Sequence, residues 1–262
     1  MTATADLHIH SVLSPCAGEE MTPPRVLARA AEQGLQFIAI TDPNSALNVP
    51  AFWEAAQAYP VEVIPGMELQ TREDIHLVCL FDTPEKALRL QEMVDRALPD
   101  VPNREEFFGP QWIVDATGRV TGTEERLLIN SVGWSLAEAV ERVLQAGGVC
   151  IAAHIDRQSF SLLGVLGLIP PDLPLAALEI ARPASLPALS RTYPELRHYP
   201  PVFSSDAHYL ADVGRVHTVL PREVEDAVSL IQFFKKALAK RPPVYRRRRA
   251  RNLERGDVPG ED

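Results

Sequence analysis

The sequence predicts an α/β fold in which about seven strand–helix units close into a barrel. Two observations carry that reading. Apolar, β-branched runs alternate with amphipathic helical patterns along the chain, and the side chains able to bind metal gather at the ends of those runs. Such alternation implies a mainly parallel sheet with right-handed crossovers. About seven units within 262 residues suit a closed barrel better than an open sheet.

Strands are expected at 6–10, 37–41, 61–64, 75–81, 149–153, 177–181 and 202–204, with 217–220 as a further candidate. The stretch PPRVLARAAEQG opens on proline and stops at Gly34, as helix capping requires. TPEKALRLQEMVDRAL begins with a Thr cap, a proline and an acid. SLAEAVERVLQAGG has a Ser cap, an apolar stripe through Leu136, Val140, Val143 and Leu144, and a glycine stop. PREVEDAVSLIQFFKKALAKRPP starts on acids and ends on bases, which complements a helix dipole across the whole segment. One stretch, about 100–131, breaks the rhythm: QWIVDATGRVTG reads as a hairpin inserted on a loop. The division expected is a barrel domain over 1–243 carrying this insertion, then a basic, flexible tail over 244–262.

Composition narrows the class. The chain is 46% hydrophobic and 23% charged, with no apolar run long enough to span a bilayer and no basic-then-apolar leader. Three cysteines, Cys16, Cys79 and Cys150, fit free thiols in a reducing cytoplasm. The net charge is −9, and the RRRRARNLER segment alone contributes +5, which leaves the rest at −14. An acidic body of that kind repels polyanions unless bound cations reverse the local field.

The DLHIH stretch places His8 and His10 two apart, so a regular strand turns both to one face and Leu7 and Ile9 to the other. Two adjacent buried imidazoles need two sets of hydrogen-bond partners, or one metal. Asp42, Glu68, His154, Asp206 and His208 lie at or just past the ends of other runs. In a parallel barrel those ends open on one face, where barrel sites are built. His76 is the exception, because it starts its run. The set is too large for one tetrahedral ion, which points to two or more metals about 3.5–4 Å apart. A carboxylate such as Glu68 can bridge them.

Taken in order, DLHIHSVLSPC, AITDPNS, PGMEL, IHLVCLF, AAHIDR and SSDAH resemble the motifs of the polymerase and histidinol phosphatase (PHP) domain over roughly residues 5–215. The resemblance implies a distorted seven-unit βα barrel with its metal site at the C-terminal ends of the strands. It implies up to three zinc, manganese or iron ions, and phosphomonoesterase or nuclease activity. Some members of that family have lost their metals and serve as structure. Carried over by position, His8, His10, Glu68 and Asp206 hold a first metal, and Glu68, His76 and His154 a second. Pro43 stands where the family has a histidine, so a third site is reduced to Cys16 and His208, or is absent. Cys16 is otherwise a small apolar filler. Asp42 is expected to orient a ligand histidine, and Arg157 to clamp a phosphate oxygen or to pair with Asp156 or another acid.

The expected function is therefore phosphate-ester hydrolysis by a metal-activated water, with His208 protonating the leaving oxygen. The substrate is a phosphorylated small molecule or a nucleic-acid end, and no membrane partner is expected. A non-catalytic metal-binding module, favoured by Pro43, and a metal hydrolase of a C–N or similar bond are the alternatives.

Overall fold

The structure is a computed structural model that describes residues 2–241. The first half of the chain runs β1 (Ala3–Ile9), α1 (Pro23–Glu32), β2 (Phe37–Ile40), α2 (Val49–Ala55), β3 (Glu62–Gln70), β4 (His76–Leu80) and α3 (Pro84–Val94). The insertion follows as α4 (Glu105–Phe108), β5 (Trp112–Val114) and β6 (Val120–Thr123). Then come α5 (Leu136–Gln145), β7 (Val149–Ala152), α6 (Leu162–Leu166), β8 (Ala177–Glu179), α7 (Leu186–Thr192), β9 (Pro201–Val202), β10 (Thr218–Leu220) and α8 (Ala227–Lys240). The basic tail expected over 244–262 lies outside the described residues.

Eight strands form one sheet in the order β10-β1-β2-β3-β4-β7-β8-β9. It curls nearly closed. The segment after β9 returns beside β1, where His10 N donates to Ala207 O at 3.0 Å and Ala207 N to His8 O at 3.3 Å. Across the remaining gap, the Thr218 hydroxyl accepts from Phe203 N and donates to Phe203 O, both at 2.8 Å.

Pairing is mainly parallel, as expected, with β4 and β10 as the exceptions. The β1–β2, β2–β3, β7–β8 and β8–β9 pairs are parallel, but β4 runs antiparallel to both β3 and β7, and β10 antiparallel to β1. The link between β3 and β4 is too short for a crossover, which needs a dozen or more residues, so the chain must turn back as a hairpin. That reversal explains His76. The first residue of β4 pairs with Gln70, the last of β3, and so lies at the end where β3 finishes.

Two apolar layers sandwich the sheet. The inner one joins Ala5, Leu7, Phe37, Ile64, Val78 and Ile151 to Leu230, Ile231 and Phe234 of α8. Residues from the starts of β1, β2, β7 and β8 share this layer with α8, whose Ala227 N bonds Glu62 at the start of β3 and whose Lys235 reaches Gly147 O just before β7, so this helix covers the end where the parallel strands begin. The outer layer packs Ile38, Ile40, Met67, Leu77 and Cys79 against Leu27, Phe52, Leu90 and Val140 of the surrounding helices. Strict alternation fails in β1. Leu7 belongs to the inner layer and Ile9 to the outer, and the register against β2 shifts between Asp6 and Ile9. His8 and His10 nevertheless meet at the mouth, with ring centroids 5.2 Å apart.

Local chemistry sets the helix ends. Ser135 and Glu138 form a reciprocal capping box on α5. Asp226 and Ser229 do the same for α8, which therefore starts at Ala227 and not at the acids before it. Residues 221–226 are not helical. The insertion hairpin turns on Asp115, whose Oδ1 accepts from Thr117 N and Arg119 N at 2.9 and 3.1 Å. It docks beside the loop after β1, where Trp112 N donates to Val12 O at 3.0 Å, and on Asn48, which bonds Trp112 O and Val114 N.

Gly66 sits two residues before Glu68, where β2 and β4 press on β3. A Cβ there would lie 2.8 Å from Thr41 Cγ2, 3.0 Å from Ile40 O and 3.1 Å from Cys79 O. Gly66→Ala is expected to cost about 1–3 kcal/mol of stability by overpacking. A urea-unfolding midpoint equal to that of the parent would show that the strands relax freely around an added methyl.

Candidate metal centre

Strand ends deliver the site. His8 lies near the end of β1 and His10 just past it. Glu68 comes from β3, His76 from the start of β4, His154 from just past β7, and Asp206 from the segment after β9. They form two groups, His8, His10 and Asp206 in one and Glu68, His76 and His154 in the other. Within each group the ligand atoms all lie within 4.8 Å of one another.

Glu68 joins the groups. Its Oε1 is 2.7 Å from His76 Nδ1, 3.3 Å from His154 Nε2 and 3.2 Å from His8 Nε2. Its Oε2 is 3.7 Å from His10 Nε2. Asp206 Oδ1 lies 2.9 Å from His10 Nε2 and 3.3 Å from His8 Nε2. Burial alone would raise the Glu68 carboxyl. His76 and His8 beside it, with hydrogen bonds from His154 and His76, outweigh that and hold it well below the usual range. Asp206 is driven far down in the same way, burial being overcome by His8 and His10. Burial works against a charged His8, yet Glu179, Asp206 and Glu68 hold its ring well above the ordinary value.

Outer partners set which nitrogen of each ring faces inward. His8 Nδ1 lies 3.0 Å from the buried Glu179 carboxylate, which only accepts, so this nitrogen carries the proton. The hydroxyl of Ser14 donates to Asp42 Oδ1 at 2.6 Å and is therefore free to accept from His10 Nδ1 at 2.9 Å. Asp42 is locked in turn by Ser11 N at 2.7 Å and Ser11 Oγ at 2.6 Å. His76 turns Nδ1 inward, and its Nε2 faces Gln70 Oε1 at 3.3 Å. The Gln70 amide NH2 group is held by Asp74 and Ser131 at 3.1 and 3.0 Å. The inward nitrogens thus meet carboxylate oxygens, and His8 Nε2 is buried without a hydrogen bond. Buried carboxylates crowded by imidazoles need positive charge between them, which ring protons, His8 above all, supply without a metal and a bound cation would supply in their place. A set of imidazoles and carboxylates suits divalent transition metals, so the residues fit such ions.

The structure does not bring every expected residue into these groups. His208 stacks on His10 with ring centroids 4.1 Å apart, and its Nδ1 donates to Asp206 O at 2.9 Å. Burial, then the charge of His10, takes its pKa down to about 4. Cys16 is an exposed residue and joins neither group. Desolvation, with Glu68, Asp206 and Asp42 nearby, pushes its thiol up to about 11, which disfavours a thiolate. Its loop also meets His208 through the backbone, Gly18 N donating to His208 O at 2.8 Å. Arg157 pairs with Asp206 Oδ2 at 2.6 Å. Asp156 is taken instead by Ala181 N, Arg182 and the Ser185 hydroxyl.

Sequence reasoning missed four supporting residues. Glu179 had a signal, since a lone acid inside the apolar AALEIA run must find a partner when buried. Ser14 and Gln70 had none beyond residue type. Asp6 turns away from the histidines and accepts from Ser205 N, Ser205 Oγ and Gly214 N, pinning the loop that carries Asp206 and His208. Burial raises its carboxyl to about 6 against the pull of those bonds. Asp206 (φ 51) and His154 (φ 29) both have left-handed backbones, strain that their surroundings must hold.

Comparison with known proteins places these features. The family model described as PHP domain matches residues 6–162, and that described as PHP-associated matches residues 188–237. An error-prone DNA polymerase of Pseudomonas aeruginosa is 32% identical over 96 residues, which are 37% of this chain and 9% of the polymerase. A lesion-specific endonuclease of Pyrococcus furiosus superposes with a TM-score of 0.64 at 18% identity, covering 90% of this chain and 56% of that one. A structure from Bifidobacterium adolescentis, assigned by name to the metal-dependent phosphoesterases, gives a TM-score of 0.54 at 19% identity over 88% and 96% of the two chains. This chain therefore spans about half of the endonuclease and a small part of the polymerase, and at these identities the two structures show shared fold. Among the described residues no helix is long and apolar enough to cross a membrane.

Removing the acceptor behind His8 should loosen any ion that the mouth holds. Glu179→Leu is expected to weaken manganese or zinc binding about 10- to 100-fold. Competition against a fluorescent chelator measures this, and unchanged affinity would mean that Glu179 does not steer the ring.

Proposed function

The chain belongs to the PHP domain family, and from that premise we propose that it is a metal-dependent phosphoesterase holding two divalent ions at the mouth of its barrel. The observation that carries this reading is the position of Glu68. One buried carboxylate lies between two groups of ligand-capable side chains and reaches both. His8, His10 and Asp206 would hold one ion and His76 and His154 the other, with Glu68 shared. Ions there would lower the pKa of a bound water and neutralise charge on a phosphoryl group. Zinc, manganese and iron all suit this set. A third ion is not proposed, because Cys16 and His208 join neither group and Pro43 offers no ligand.

The chain's own residues supply the rest. Glu179, Gln70 and Ser14, the last backed by Asp42, keep the protons of three imidazoles on their outer nitrogens. Arg157, anchored on Asp206 and part exposed, would offer its remaining N–H groups to a phosphoryl oxygen. His208 commits Nδ1 to the Asp206 carbonyl, which leaves Nε2 for substrate or water. That nitrogen is placed to exchange a proton or a hydrogen bond with substrate or water. The substrate would be a phosphorylated small molecule or a nucleic-acid end, and the similar lesion-specific endonuclease is by its name a nucleic-acid enzyme. On a chain of net charge −9, bound ions would be the main attraction for such anions.

Phosphomonoester and phosphodiester assays with added manganese or zinc test the activity. Turnover should appear with metal and vanish with chelator. Glu68→Gln keeps shape but loses charge, so it should lower the content of both ions and cut turnover about a hundredfold or more. His154→Ala should remove one ion preferentially. A Glu68→Gln protein with the metal content and rate of the parent would rule out sharing, and no turnover of either ester class would overturn the phosphoesterase reading.

A further inference from the structure

The loop 154–161, between β7 and α6, brings three side chains to the mouth. His154 faces Glu68, Arg157 lies on Asp206, and Phe160 lies on His76. The loop is tightly tied. Arg157 N donates to His154 O at 2.9 Å, Ser161 Oγ to Arg157 O at 2.6 Å, and His76 N to Phe160 O at 3.0 Å. The last bond fixes the Phe160 backbone against β4, in the left-handed region at φ 57. That conformation suits glycine or asparagine and disfavours a bulky side chain. The ring stacks on His76 with centroids 4.9 Å apart and planes 27° apart, and the residue is still 44% exposed. One face is thus covered by a candidate ligand while much of the residue stays open to solvent. As packing this is poor use of an aromatic ring, since much of its apolar area stays wet.

A partly exposed aromatic ring three residues from a guanidinium, both beside the phosphoryl site, matches a ligand with an anionic end and a flat ring. We propose that Phe160 is a specificity-determining residue that stacks on the nucleobase of a nucleotide-type phosphoester, so that the site favours such substrates over phosphoesters without an aromatic ring. This rests on the phosphoester reading above and adds the class of group the phosphate carries. A phosphate site alone does not distinguish a nucleotide from a sugar phosphate. Stacking does, and it tolerates any base because every base has a π-face. A single stack of this kind is worth roughly tenfold in affinity.

The test is calorimetric titration of the metal-loaded full chain with adenosine 5′-monophosphate and with ribose 5-phosphate, which is the same molecule without its base. The parent should bind the nucleotide about tenfold more tightly. That ratio should fall towards unity in Phe160→Leu and persist in Phe160→Trp. Any disturbance of His76 by the substitution affects both ligands alike and cancels in the ratio. Equal affinities in the parent, no binding of either ligand, a preference that survives Phe160→Leu, or one that is lost in Phe160→Trp would each overturn the proposal. Phosphate release followed in the same samples reports separately on hydrolysis. Base preference without hydrolysis of either ester class would sink the esterase reading and leave the stack standing, and release without preference would do the reverse.

Discussion

The carboxylate of Glu68 has to sit inside the protein, and most of the mouth is arranged to allow it. A buried carboxylate is costly unless opposite charge or strong donors surround it. Four imidazoles approach Glu68 within 4 Å, from β1, β4 and the loop after β7. Its backbone is fixed as well. Asn44 N donates to Glu68 O at 2.7 Å and Glu68 N to Asp42 O at 3.1 Å, so the loop after β2 clasps the strand at this residue. Pro43, between those two bonds, bridges Glu68 through its backbone. The position that lacks an imidazole therefore still has a structural task at the same carboxylate.

Around that centre lies a shell that decides proton positions. Glu179, Ser14 and Gln70 come from three different parts of the chain, and each binds the outward nitrogen of a different histidine. The inward nitrogens then carry the protons that a cation would displace, so the rings are already turned as metal ligands require. Ser14 and Gln70 are themselves held, by Asp42 and by Asp74 with Ser131. Rigid partners behind flexible rings fix donor atoms more firmly than the rings could fix themselves.

The two ends of the barrel divide the work. At one end α8 buries Leu230, Ile231 and Phe234 against the strand starts. Its last turn is followed by Arg241, whose guanidinium binds the carbonyls of Leu173 and Leu175 and the hydroxyl of Tyr199. Those are contacts of stability. At the other end the strained residues His154, Phe160 and Asp206 collect with the titratable ones. Separation of this kind lets loops at the chemical end vary while α8 and the sheet keep the fold.

The sequence by itself determined the elements and the ingredients. Each expected strand forms, because short, β-branched apolar runs between turn residues suit a sheet buried on both faces. His8, His10, Glu68, His76, His154 and Asp206 could be picked out because such residue types at strand ends have few bland explanations. What it could not give were facts that depend on residues far apart meeting. The reversal of β4 was hidden by reading each run as one more parallel unit, although the short link before His76 held the clue. Arg157 could have paired with the adjacent Asp156, and only the packed loops show Asp156 already used and Asp206 within reach. Glu179 meets His8 across 171 positions, and no local pattern encodes that distance. The tertiary structure decided these because hydrogen bonds and ion pairs depend on spacing of a few tenths of an ångström, which follows from the closure of the whole sheet.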